Sequence, residues 1–536
     1  MGKQSFLYRV YSSYCRLSLR SQRTIILNYY HKAPPRLMFI ASPSLLYLLH
    51  GPYYLAYNDS KQQCMDVTAA ATQANPEGFH IPSFSLLRVT KEWLKFVKHQ
   101  LLKLWYILAR STYLTILFTP ATVTSPILLL VGSGSDWKTL RKIWWDLLRF
   151  TIRVSGPCNT KLCQWIATRP DLFPLEMVQE LSLLQTKAYK HSWEESAAAL
   201  QDGLGSEWRN MLDLSPSESP VVLGSGCIAS VYLGTFKENE QKVAIKIIHP
   251  GVKQIIDADI MIMKTVSSFL EYFLPGMSTL SLSESVDEFE KLMTRQVDFT
   301  TEANNLKKLS SNFRRENVKD VCFPTPIDSL VTNNVLVETF QKGVLMSDLL
   351  EDQTLEPKKR KQLAKIGLDA ILRMVFKHNF IHADLHPGNI IVQGDLNHFK
   401  LCLIDAGIVA ELSPADQENF IALFKAVITN DGKNVGKLMI ERSRGSISDV
   451  IDREGFETGM ADIVDEVFEN GLSLGRIGIG DLLQRVLVLC FNHHVKLESN
   501  FVSVVVAIGV LEGLGRRLDP DVDLIGLATP YILGHF

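Results

Sequence analysis

Two hydrophobic periods run along this chain, and the places where one gives way to the other divide it. In "KEWLKFVKHQLLKLWYILAR", Lys91 to Arg110, apolar residues recur at helical spacing with basic residues between them. That predicts an amphipathic helix, able to lie on an anionic membrane or to pack on its own domain. The next 25 residues, Ser111 to Ser135, carry no charge. The length is enough to span a bilayer, yet Pro120 and Pro126 interrupt it. Spanning, interfacial and buried-hairpin placements all stay open. From Trp137 to Leu200 the pattern is helical, with breaks at Gly156-Pro157 and Arg169-Pro170. "SPSESP", Ser215 to Pro220, reads as a linker. The period then changes to two: "VVLGSGCIASVYLGTF" and "QKVAIKIIH" alternate as strands around a glycine turn. Helices follow from Val252 to Phe313, and two apolar runs flanking Asn333-Asn334 predict a hairpin. From Leu349 onward helices dominate, apart from "FIHADLHPGNIIV" and "LIDAG".

The expected fold class is therefore α+β: a small strand-rich lobe followed by a larger helical one, with a helical extension in front. The boundaries predicted are a leader over residues 1–60, a membrane-associated region over 61–136, and a helical extension over 137–215. The strand-rich lobe is expected over 216–341 and the helical lobe over 342–536.

Composition changes this picture in one place. The 536 residues are 46% hydrophobic and 21% charged, with a net charge of −1, which offers no electrostatic footprint for nucleic acid. The eight cysteines form no C-x-x-C pair, so neither a zinc site nor a disulfide framework is signalled. The N-terminus differs from the rest. No Asp or Glu precedes Asp59, while Lys3, Arg9, Arg16, Arg20, Arg23, Lys32 and Arg36 do. An Arg- and Ser-rich, acid-poor start predicts a mitochondrial transit peptide, with an ordinary basic tail as the alternative. Phe6 stands where myristoylation wants Ser or Thr.

Five pieces then fall in one order. Gly224, Gly226, Ala229 and Val231 form G-x-G-x-x-A-x-V, a turn whose backbone N–H groups can approach phosphates. Lys246, in "VAIK" on the next strand, can pair with the α- and β-phosphates. Asp384 precedes Asn389 by five residues, as in a kinase catalytic loop. Asp384 can orient or deprotonate a hydroxyl or water, and Asn389 can offer its amide oxygen to Mg²⁺. Asp405, in "IDAG", matches the main Mg²⁺ ligand of such sites. The strand "VLVETF", with Glu338 and Phe340, lies where a hinge would contact adenine. Each piece alone is common; the order and spacing predict a protein-kinase-like bilobal fold that binds ATP and Mg²⁺. Several features depart from a protein kinase. The catalytic stretch is "HADLHPGN", Ala406 replaces the Phe of D-F-G, and no A-P-E follows.

"KLCQWIATRPDLFP" (Lys161 to Pro174), "GSGCIASVYLG", "QVDFTTEANN" and the two stretches around Asp384 and Asp405 together resemble the UbiB/aarF-domain atypical kinases. The resemblance covers about residues 140 to 530. It implies an ATP-binding, Mg²⁺-dependent protein with little or no protein kinase activity. It also implies support of coenzyme Q biosynthesis or related lipid handling at mitochondrial membranes. Partners would be membrane lipids or quinone intermediates, and coenzyme Q biosynthetic proteins. A KxGQ-type helix, here bearing Lys161 and Gln164 on one face, is expected to fold over the site and restrict access. A scaffold that binds ATP without turnover and a small-molecule phosphotransferase are the other classes in view.

This chain departs from the family's pattern at three positions: Cys163 replaces a glycine, Ser230 a glutamine, and Gln296 the first acid of E-x-D-x-x-x-E. On a regular helix Glu302 lies about 120° around the axis from Gln296. Gln296 is therefore expected to meet Lys246, with Glu302 turned toward the metal or anchoring the helix.

Overall fold

A computed structural model describes residues 86–130, 135–167, 175–182, 192–214, 220–273, 282–352, 355–395, 398–443, 450–469, 479–495, 515, 517–519 and 524–533. The expected leader, most of "SPSESP" and the Arg169-Pro170 break lie outside these residues. The chain divides into two compact units, residues 1–117 with 257–286, and residues 118–256 with 287–536.

The amphipathic stretch and the uncharged band form one helix, α1 (Leu86–Leu130), so the hairpin placement does not hold. At Pro126 a side chain repairs the ladder. Pro126 lacks the N–H that would meet the carbonyl of Thr122, and Ser125 Oγ donates to that carbonyl instead at 2.9 Å. Within Gln100–Ser125 the helix is long and apolar enough to cross a membrane, and Leu101, Trp105, Leu108 and Ile116 are exposed. In the first unit α1 is fixed to α7 (Val252–Phe273) by a two-pronged ion pair. Arg110 Nε and Nη2 donate to the two carboxylate oxygens of Asp259 at 2.8 and 2.9 Å.

The second unit begins with a helical cluster. α2 (Ser135–Ser155), α3 (Pro157–Ala167) and α4 (Leu175–Ser182) bury Trp145, Ile152, Cys163, Ile166 and Leu181 against one another. Arg149 on α2 pairs with Glu180 on α4. α5 (Trp193–Leu204) opens with a capping box in which Ser192 and Glu195 satisfy each other's backbone N–H groups. A short helix, α6 (Trp208–Met211), follows.

The main sheet runs β1 (Leu212–Asp213), β3 (Ala229–Phe236), β4 (Gln241–Ile248), β7 (Val335–Thr339) and β6 (Pro326–Val331), with β2 (Val222–Ser225) paired to β3. β4 is buried from Val243 to Ile248 because it is central. Leu200 and Trp208 pack on this sheet with Val243, Ile245 and Val337. The strand-rich lobe thus starts before residue 216 and takes α5 as its cover. The expected hairpin is β6–β7, antiparallel with a register shift.

α8 (Leu282–Gln296) and α9 (Phe299–Arg315) follow α7 in sequence. A second sheet orders β5 (Val321–Cys322), β11 (His398–Leu403), β10 (Ile390–Asp395) and β8 (Val344–Leu345), and β9 (Ile381–His382) pairs with β12 (Val409–Ala410). α10 (Met346–Glu351) and α11 (Pro357–Leu372) lead into the catalytic stretch. The helices α12 (Pro414–Ile428), α13 (Gly432–Glu441), α14 (Arg453–Glu469) and α15 (Ile479–Asn492) bury Phe456, Met460, Ile440 and Cys490 in their own core. α16 (Leu524–Leu533) closes the described chain.

Candidate nucleotide site

The glycine turn joins β2 to β3. Gly226 N–H donates to Ala229 O at 2.9 Å, and the Ser225 and Ser230 hydroxyls meet at 2.9 Å, so the loop is tied at its neck. A Cβ added at Gly224 would meet nothing within 4 Å; the space above it is open, as a phosphate cradle requires. Val231 stands opposite Gly224 on one side and Lys246 on the other. From behind, the buried His249 ring contacts Gly226 O at 3.0 Å through Nε2.

Lys246 Nζ lies 2.5 Å from Glu302 Oε1, 2.7 Å from Ile404 O and 3.2 Å from Glu338 Oε1. The expected partner, Gln296, is not among them. Its Oε1 is buried without a hydrogen-bond partner. The regular helix assumed between 296 and 302 does not exist. α8 ends at Gln296, and Asp298, in extended conformation, caps α9 by accepting from Thr300 N–H at 3.0 Å. The break re-phases the chain and puts Glu302, not Gln296, on the lysine. Glu302 Oε1 thus meets Lys246, the partner that the sequence assigns to Gln296 while turning Glu302 toward the metal or the helix.

The hinge assignment also changes. Phe340 N–H donates to Lys242 O at 3.1 Å, so it extends the sheet instead of facing a base. Glu338 is 2% exposed and sends its side chain to Lys246. Burial raises the Glu302 and Glu338 carboxyls above the ordinary range, against the pull of Lys246. Burial likewise opposes the charge of Lys246, but the two glutamates outweigh it and raise its pKa.

Asp384 and Asn389 flank a short 3-10 turn, Pro387–Asn389, after β9. Asn389 Nδ2 donates to Asp384 O at 3.1 Å, which leaves its amide oxygen as the metal donor. Asp405 follows β11 and accepts from Gly407 N–H at 2.9 Å. Burial works against its charge, but Lys246, Gly407 and His382 hold it below the ordinary carboxylate range. Burial pushes the pKa of His382 down, against the charges of Asp405 and Asp384, and its Nδ1 accepts from Asp384 N–H at 3.3 Å. Among the described residues no three His, Cys, Asp or Glu side chains form a metal cage. One carboxylate and one amide oxygen fit Mg²⁺, which keeps waters and takes phosphate oxygens as its other ligands.

α3 brings Lys161 to this site. Burial would lower its pKa, but the nearby negative charges, that of Asp384 first and then that of Asp405, prevail and raise it. Gln164 is half-buried one turn along. Cys163, between them, turns away into the α2–α4 cluster, and burial pushes its thiol up to about 12. The thiol therefore does not crowd the site. Three positioning residues escaped the sequence reading: His249 behind the loop, Asn305 and Asn379. Asn305 Nδ2 donates to Ala406 O at 2.8 Å, and Asn379 exchanges two hydrogen bonds with the Leu412 backbone.

Known proteins resemble this arrangement. The ABC1 atypical kinase-like domain matches residues 183–439 and the UbiB helical domain residues 460–523. A mitochondrial ABC1 family protein of Saccharomyces cerevisiae is 30% identical, the match covering 98% of this chain and 92% of that one. A probable serine/threonine-protein kinase, abkC, of Dictyostelium discoideum is 30% identical over 79% of this chain and 68% of its own. The probable protein kinase UbiB of Photorhabdus laumondii is 30% identical over 72% and 69%. A Mycobacterium tuberculosis protein solved with erythromycin shares the fold, with a TM-score of 0.51 at 17% identity, over 74% of this chain and 98% of that one.

Proposed function

The chain belongs to the ABC1/UbiB family of atypical kinases, and from that premise we propose that it binds ATP with Mg²⁺ and hydrolyses it slowly. In this reading it has little protein kinase activity and serves lipid or quinone metabolism at a mitochondrial membrane, beside coenzyme Q biosynthetic proteins. The observation that carries the reading is Lys161: α3 holds it near enough to Asp384 and Asp405 for their charges to act on its ammonium, on the path by which the hydroxyl of a protein substrate would have to enter. Water can still reach such a site.

Asp384 orients the attacking water and accepts its proton as the bond from the terminal phosphorus to ADP breaks. Lys246 faces the α- and β-phosphates, and the N–H groups around Gly224 and Gly226 cradle them. Asp405 and Asn389 would hold Mg²⁺, which neutralises charge on the phosphates. The yeast relative named as mitochondrial and the acid-free start support the location. The exposed apolar face of α1 supports contact with lipid.

Phosphate release and transfer to a generic peptide, measured side by side, test the proposal. Slow hydrolysis without peptide phosphorylation supports it. Peptide phosphorylation at about 1–100 s⁻¹, ordinary for kinases, overturns it. A scaffold that binds ATP without turnover is the second reading, favoured by the three internal partners of Lys246. Asp405→Asn separates the two: full function in cells without hydrolysis supports the scaffold.

A further inference from the structure

An ammonium has three N–H donors. Two of those of Lys246 go to Glu302 Oε1 and Ile404 O, and the ammonium also faces Glu338 Oε1 across a 3.2 Å ion pair. A phosphate oxygen reaching this lysine meets all three groups, and one of them has to yield. Ile404 O belongs to the backbone just before Asp405, and moving it would move the metal ligand. Glu302 makes the shortest contact, 2.5 Å. Glu338 makes the longest, 3.2 Å, and its other oxygen, Oε2, is buried without a partner. The charges point the same way. Glu302, Glu338 and Asp405 share a single lysine: Asp405 and Glu338 oppose the ionisation of Glu302, and Asp405 opposes that of Glu338. Incoming phosphates add negative charge to a pocket that already holds an excess of carboxyl groups.

We propose that Glu338 is an internal ligand of Lys246 that competes with nucleotide phosphate, so that this site binds nucleotide weakly and depends strongly on a divalent cation. The proposal rests on the nucleotide-site reading above and names what regulates that site. Glu302 positions the lysine; Glu338 occupies it. Asp405 and Asn389 would hold Mg²⁺ here, and its charge would offset the phosphates where Glu338 gives up the lysine.

The test titrates a fluorescent ADP analogue into the full chain, with and without Mg²⁺. It compares the wild type with Glu338→Met, which fills the space without an acceptor, and Glu338→Gln, which keeps an acceptor without charge. Releasing one charge-assisted hydrogen bond corresponds to about tenfold in affinity. Glu338→Met is expected to bind about tenfold tighter and to lose much of the Mg²⁺ dependence, with Glu338→Gln between it and the wild type. Lys246→Ala should abolish the gain. Unchanged affinity in both variants, beside a wild type that binds, overturns the proposal and leaves the nucleotide site standing. A gain that survives Lys246→Ala also overturns it. Failure of wild type and variants alike to bind any nucleotide overturns the site reading and the proposal together. A melting curve for each variant checks folding, and Glu338→Gln, the closer isostere, decides the matter if the methionine variant does not fold.

Discussion

Replacing Cys163 by glycine should loosen the packing of α3, the helix that carries Lys161. Cys163 is 8% exposed and packs with Trp145, Ile152, Ile166 and Leu181. Cys163→Gly places glycine inside α3, at about 1 kcal/mol relative to alanine. It also removes a buried CH₂–SH group, worth roughly 1–2 kcal/mol with the gap it leaves. The sum, about 2–3 kcal/mol, acts on the docking of one short helix, so it should appear as local opening before it appears as global unfolding. About 1.4 kcal/mol is tenfold, so the open fraction should rise by roughly 30- to 150-fold. Cys227 in the glycine loop reports it, because its thiol lies opposite Lys161 of α3. The assay is the rate at which Cys227 reacts with a maleimide, followed by mass spectrometry of the peptide, beside a urea melt. An unchanged Cys227 rate with an unchanged urea midpoint would refute the claim that Cys163 fastens this helix. Wild-type Cys163 itself, its thiol pushed up to about 12, should react only once the protein unfolds.

The two carboxylates on Lys246 should act as substitutes in stability. Glu302→Gln or Glu338→Gln alone leaves one partner and should cost about 1 kcal/mol. Together they strand a buried ammonium, at about 3–5 kcal/mol, more than the sum; additive urea data would count against a shared partner. The same cluster sets a pH dependence. Burial holds the Glu302 carboxyl above its ordinary value, against the pull of Lys246, so as pH falls the folded protein takes up this proton before the unfolded chain does. The urea midpoint of the wild type should therefore rise, relative to that of Glu302→Gln, as pH is lowered toward about 4.5, and parallel profiles would exclude this. Gln296→Glu should show no coupling to Lys246→Ala in nucleotide affinity; a coupling near 1 kcal/mol would put residue 296 back on the lysine. Asp405→Asn should remove the Mg²⁺ dependence of nucleotide binding, read by titration with and without EDTA.

Lys246, Asp384, Asn389 and Asp405 were legible because each sits on a strand or beside one, where spacing in sequence fixes spacing in space. The lysine's partner was not. Placing it required knowing whether residues 296 to 302 form one helix, and six residues of phase decide which side chain faces inward. The signal was present in "DFTTEA": an Asp just ahead of a helical run is an N-cap, and it re-phases Glu302. Glu338 was read as part of a hinge because strand position, not side-chain direction, guided the assignment. An acid inside the apolar run "VLVETF" was the clue that it needed a buried partner. The long α1 was obscured by its prolines; at Pro126 a neighbouring serine hydroxyl replaces the missing hydrogen bond.

The Arg110–Asp259 pair limits how deep α1 can go. Counting about 100° per residue, Leu101, Trp105, Leu108 and Ile116 share one stripe, and Arg110 points to the opposite side, about 180° from Leu101. Threading residues 100–125 through a bilayer would put Arg110 about 15 Å below the entry point, near the mid-plane. Asp259 would have to go with it, since the pair is buried and bidentate. So would its helix, which carries Asp257, Lys264 and Glu271. Hydrocarbon does not admit that cargo. If α1 meets lipid, as proposed above, a helix moored on one side to a charged neighbour and apolar on the other would lie at the boundary, its stripe among the acyl chains and its arginine toward the headgroups. The protein would then rest on one leaflet, with the Arg110–Asp259 pair helping to set its depth.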